Sequence, residues 1–163
     1  MEIEAITKVL NSEIFKKWHT DEYLVSYFLM ADTESVDFFS KKNKKITSFN
    51  ISDKIEMKTD DIFQKEPRDI EELKIDEVII KLEQATKIIN EVKSKKVPAE
   101  QINKEIIILQ QQKVPIWNLT LITSALNFLN VKINAITGEI IEENLESLMK
   151  LRKNSKENYR KNP

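Results

Sequence analysis

His19 is the single histidine of this 163-residue chain, and Asp21 and Glu22 follow it closely. An imidazole beside two carboxylates is the minimum for a general base with an orienting partner. Such a base also needs a nucleophile or a metal to act with. The chain has no cysteine, so a thiolate nucleophile, a disulfide framework and a zinc knuckle are all excluded. A histidine at a helix end among acids is then more often a solvated residue than a catalyst.

The carboxylate doublets offer a second chemistry. Asp60-Asp61 and Glu71-Glu72 lack the alternating oxygen ligands and central glycine of a calcium loop. Glu142-Glu143 and Glu146 would favour a helix N-terminus by their charge alone. A glycosidase pair would require a cleft that a chain of this size has little material to build. Glycine is scarcer still. Gly138 is the only one, which excludes the Walker loop, the dinucleotide fingerprint and the nucleophile elbow. No metal, cofactor or catalytic residue is therefore expected.

Basic residues suggest a third chemistry. Lys41, Lys42, Lys44 and Lys45 crowd one short segment, and the last fourteen residues, which include Arg152 and Lys153, hold six basic groups against one acid. Both segments could grip phosphates even though 26 basic and 27 acidic residues leave a net charge of −1. Arginine is sparse, however, and no basic strand carries interleaved aromatics. A solvated loop and a frayed terminus are the plainer readings. Trp18 and Trp117 sit at helical and strand spacings, which predicts core packing over an exposed contact site.

The elements that would position these groups follow from periodicity. Ile3, Ile6, Leu10, Ile14 and Trp18 form a three-and-four stripe, which predicts one helix ending at Trp18. From Glu22 to Met57 the period is two. Strands are expected over 23–30, 36–40 and 46–51, with a turn at 31–34 and a charged loop at 41–45. The first has apolar residues on both faces. Such short connections give an antiparallel meander. Asp60 to Glu77 holds eight acidic and three basic residues around Pro67, so 60–75 reads as an acidic linker.

Asp76 is expected to cap a second helix with Val78, Leu82, Ala85, Ile89 and Val92 on its buried stripe. Lys93, Lys95 and Lys96 suit its negative pole, and Pro98 ends it. A second meander follows over 102–112, 116–123 and 131–135, with a turn at Thr137-Gly138 and a brief resumption at Ile140-Ile141. Leu145, Leu148 and Arg152 predict a short third helix running into a basic tail. Each half is then an α+β unit, with a helix covering one face of an antiparallel sheet.

The run Val131-Lys132-Ile133-Asn134-Ala135-Ile136-Thr137-Gly138-Glu139-Ile140 resembles the closing strand of the PepSY family, close to V-D-A-x-T-G-E-I. Ile116-Trp117-Asn118-Leu119 stands where that family often has an aromatic-bearing central strand, and Asn134 replaces its usual Asp. The resemblance covers residues 76–144 and implies a noncatalytic domain that binds or restrains a peptidase or another protein, most often outside the cytoplasm.

The resulting expectation is an α+β protein of two tandem helix-plus-meander units, PepSY-like or cystatin-like, over 1–59 and 76–144, with a short helix and basic tail over 145–163. Its expected role is noncatalytic protein binding, with a protein partner or a second copy held by edge-strand pairing. A nucleic-acid binder using lysine-rich segments 41–45 and 150–161 is the rival. There is no run of apolar residues long enough to span a bilayer. Met1-Glu2-Ile3-Glu4 has neither the basic start nor the apolar core of a signal peptide, so the cytoplasm is expected.

Overall fold

The structure, a computed structural model, describes residues 2–61 and 70–153. Two helices lead, α1 (Glu2–Leu10) and α2 (Glu13–Trp18), followed by β1 (Tyr23–Met30), β2 (Thr33–Ser40), β3 (Lys45–Ile51) and β4 (Ile55–Asp61). A 3-10 turn over Ile75–Glu77 precedes α3 (Leu82–Lys96), and then come β5 (Ile102–Gln111), β6 (Pro115–Thr123), β7 (Asn127–Asn134) and β8 (Ile140–Ser147). A final helix, α4, spans 148–153. All eight strands form one antiparallel sheet in the order β4-β3-β2-β1-β5-β6-β7-β8.

Two successive meanders are thus joined through their first strands, with Tyr27 opposite Leu109 and Phe28 opposite Ile108. Both helix groups lie on one face. Phe49 pairs with Val36, Val36 with Tyr27, Tyr27 with Leu109 and Leu109 with Trp117, so all five point the same way. Beneath α1 and α2 the filling is aromatic: Phe15, Phe38 and Phe49 meet at 4.8 to 5.7 Å between ring centroids. Beneath α3 it is aliphatic, with Leu119, Leu129, Val131 and Ile133 fully buried around Trp117. Trp117 donates its Nε1–H to the carbonyl of Ile80 at 2.7 Å, which satisfies its polar edge inside the core. Its placement on the helix-covered face is the one expected from its alternation with Asn118.

Several element boundaries differ from the sequence reading, each for a local reason. The single N-terminal helix is two, because the Ser12 hydroxyl donates to Val9 O and accepts from Phe15 N, so it starts a new helix. The buried stripe of α1 is Glu2, Ala5, Ile6 and Val9, while Ile3 and Leu10 face solvent. β4 was hidden in sequence because Glu56, Lys58 and Asp60 alternate with Met57 and Thr59 on a thinly covered sheet edge. α3 begins at Leu82, not after Asp76. Asp76 and Val78 lie before it, where Ile79 N and Ile80 N both donate to Ala135 O.

Near the C-terminus, β7 opens at Asn127, four residues before the alternation becomes regular. β8 continues through Leu145 to Ser147, where a helix was expected, and α4 starts only at Leu148. Pairing with β7 therefore overrides the helical spacing of Leu145, Leu148 and Arg152. The middle of the acidic linker, 62–69, and the basic tail beyond Lys153 fall outside the described residues. Leu73 at the linker's far end is buried, and its N–H donates to Leu24 O.

Candidate functional site

His19 caps the C-terminus of α2, donating its backbone N–H to Phe15 O at 2.8 Å. Its ring stacks on Phe15 at 4.9 Å, and Nδ1 lies 3.6 Å from the Glu22 carboxylate. That carboxylate is not free to orient a base. It accepts the backbone N–H groups of Thr20 at 2.8 Å and Asp21 at 3.2 Å. Burial would raise Glu22, but these backbone donors, with the Thr20 hydroxyl, outweigh it and hold the carboxyl below its usual range. Glu22 is therefore a structural anion that closes the turn between α2 and β1.

A cavity of about 560 Å³ opens beside this turn. Its lining includes the apolar Ile6, Leu10, Phe15 and Leu73 and the charged Glu72, Asp76, Glu77 and Lys74. The acidic doublets do not converge: Asp60 pairs with Lys58, Glu142 with Lys132 and Glu143 with Lys96. Among the described residues no three metal-ligating side chains come together. Deeper, Tyr27 donates its hydroxyl to Glu34 at 2.8 Å. Burial first, and then the carboxylates of Glu34 and Glu2, push this phenol far above its ordinary range, so it stays a donor.

The predicted basic contacts occupy opposite corners of the sheet. Lys41, Lys42, Lys44 and Lys45 lie at the β2–β3 connection, and Arg152 and Lys153 lie in α4 after the far end of β8. Lys41 sits 5.5 Å above the Tyr23 ring and Lys44 6.0 Å above Phe39, so two of the lysines already rest on aromatic faces. The six groups do not make one phosphate track.

A further surface is the sheet face that no core helix covers, although Phe39 and Ile116 at one end of it are buried. At its centre Phe28 opposes Ile108 and Met30 opposes Ile106, all half-buried. One flank is a bonded cluster in which the hydroxyls of Ser26 and Ser35 both donate to Asp37. On the other flank the Asn130 amide donates to Asn118 at 2.7 Å and to the Thr120 hydroxyl at 2.8 Å. An apolar centre inside a polar rim is the anatomy of a protein contact surface. The sequence signal for it was the paired runs Tyr27-Phe28-Leu29-Met30 and Ile106-Ile107-Ile108-Leu109, apolar on both faces of adjacent strands.

No protein-family model and no curated protein matches the chain. In structure it is similar to a protein from Clostridium difficile 630, known from a crystal structure and described provisionally as a lipoprotein. The two align with a TM-score of 0.60 at 16% identity, over 87% of this chain and 93% of that one. At that identity the likeness defines the fold: an α+β protein with an eight-stranded antiparallel sheet.

Proposed function

We propose that this is a noncatalytic protein-binding or regulatory module, built of two tandem helix-plus-meander units with PepSY-like character in the second. The open sheet face carries the reading. Phe28, Met30, Ile106 and Ile108 straddle the seam where the meanders join, inside rims of preorganised hydroxyl, amide and carboxylate groups. Such a face can take up an extended segment or a second fold without large rearrangement.

The PepSY-like reading is supported by the closing turn. Gly138 has φ +80°, and the Asn134 Oδ1 accepts from Ile136 N at 2.8 Å and Thr137 N at 3.2 Å. A side-chain oxygen is all this turn needs, so Asn serves where the family has Asp.

The test is capture from native lysate at two salt concentrations, with the wild type beside a Phe28→Lys/Ile106→Lys variant. A protein retained at both salts by the wild type and lost by the variant supports the proposal. Retention of nucleic acid that falls steeply with salt would replace it with the rival built on the lysine-rich segments. A protein partner indifferent to the variant would move the site off this face. Fractionation tests location. The cytoplasm is expected, and recovery with membranes, in keeping with the neighbour's description, would overturn that part.

A further inference from the structure

We infer that β8 is a self-complementary docking edge, through which two copies of this chain pair antiparallel about a twofold axis at Leu145. The inference names the surface for the second-copy partner of the proposed function, and it uses an edge separate from the open face.

The two outer strands differ in what they present. On β4 the residues Glu56, Lys58 and Asp60 alternate along the edge, with Lys58 and Asp60 paired at 3.3 Å, a charged pattern that discourages strand addition. Around β8 large apolar side chains are exposed instead. Ile140 and Ile141 open it, Leu145 lies further along it, and Leu148, Met149 and Leu151 follow its end, at 38 to 53% exposure, against Met57 at 41% on β4. An antiparallel twofold brings the start of one strand beside the end of the other, so both apolar groups would be covered together.

Charge has the same polarity. Glu139, Glu142 and Glu143 lie toward the start of β8, the last two already paired with Lys132 and Lys96, while Lys150, Arg152 and Lys153 lie beyond its end, after Glu146. The twofold places each basic end against the partner's acidic end.

The register follows from exclusion. A twofold perpendicular to the sheet pairs residues of like face, so only alternate registers are open. Centring on Asn144 would set Glu142 against Glu146 twice, centring on Glu143 or Glu146 would put two carboxylates on the axis, and the Glu143 register would also draw the bulge at Ile141 into the ladder. Centring on Leu145 opposes Leu145 with Leu145, Asn144 with Glu146 and Glu143 with Ser147. No like charges meet, and the bulge stays outside the paired segment.

The natural absence of cysteine makes the test clean. Leu145→Cys places two thiols directly opposite on the axis, within disulfide reach in an antiparallel pair, and should oxidise rapidly to a covalent dimer. Glu143→Cys and Met57→Cys should cross-link far more slowly. Sedimentation of the wild type should show a concentration-dependent dimer, and Leu145→Lys should give a monomer with an unchanged circular dichroism spectrum. A wild type that is monomeric at every concentration overturns the inference, as does cross-linking by Met57→Cys equal to that by Leu145→Cys. Retention of an open-face partner by Leu145→Lys would separate this result from the fate of the proposed function.

Discussion

The two halves of the sheet solve one packing problem with different side chains. Under α1 and α2 the space is filled by rings, with Trp18 5.2 Å from Phe49 and Phe15 4.8 Å from Phe38. Under α3 it is filled by aliphatic residues around a single indole, and Ala85 and Ile89 are fully buried on the helix side. A helix that presents alanine can lie close to a sheet of leucine, valine and isoleucine. Under the short helix pair the rings of Phe15, Phe38 and Phe49 share the space with Ala5, Ile6 and Val9 of α1. Similar layers therefore do not need similar core residues.

The largest test of this contrast is Trp117→Ala. Removing the indole should cost about 3–5 kcal/mol, from the cavity and from the unpaired Ile80 carbonyl. The variant keeps Trp18 as its one indole, so tryptophan fluorescence then reports only the aromatic half. Because β1 and β5 are continuously paired and Tyr27 meets Trp117 edge-on at 6.4 Å, the Trp18 signal should melt at the same lowered temperature as the circular dichroism. A Trp18 transition left at the wild-type midpoint would mean that the halves unfold separately.

That difference also accounts for what the sequence disclosed. The stripe from Leu82 to Val92 is continuous and faces one surface, so α3 was legible except for its start, expected after Asp76 and found at Leu82. The N-terminal stripe from Ile3 to Trp18 predicts a single helix because its spacing runs through Ser12, where the helical phase resets. β4 and the end of β8 are hard to read because edge strands bury little: the alternation of β4 is mostly between polar residues, and β8 carries an apolar spacing that also suits a helix. The open face was half legible. Apolar residues on both sides of β1 signalled a second buried or contact surface, but their meeting with Ile106 and Ile108 depends on β1–β5 pairing, which no local pattern encodes.

The closing turn of the aliphatic half comes next in size. A Cβ at Gly138 would stand 3.3 Å from the Ile80 Cδ1, on a backbone at φ +80°. Gly138→Val should therefore cost about 1–3 kcal/mol, read as a lower melting temperature. A wild-type melting curve would remove the turn from the forces that hold β7 against β8.

In the aromatic half the corresponding closure is ionic. The Glu22 carboxyl is held below its unfolded value, so it adds stability above that unfolded value and loses it as pH falls through the folded one. Glu22→Gln should cost on the order of 1 kcal/mol at neutral pH. The gap between wild type and variant should close in acid. A gap that is constant with pH would mean that the side chain acts through shape alone.

The smallest expected effect is a gain. Ala31, Lys44 and Leu126 all occupy the left-handed region, with φ of 49°, 54° and 59°, in a chain that has only one glycine. For an L-residue with a Cβ that region costs roughly 1–2 kcal/mol, whereas glycine's extra freedom in the unfolded chain costs about 0.5–1 kcal/mol. Relief and entropy nearly balance, so side-chain contacts decide the sign. Lys44 rests over Phe39, and Lys44→Gly should lose that contact and gain nothing. Ala31 is exposed and carries only a methyl, so Ala31→Gly should raise the melting temperature slightly, by about half a kcal/mol in stability. Leu126 is 43% exposed, and Leu126→Gly should fall between the two. Calorimetry on the three variants gives the order directly. If Ala31→Gly melts below the wild type, the β1–β2 turn is held by its backbone contacts strongly enough that the left-handed residue carries no strain.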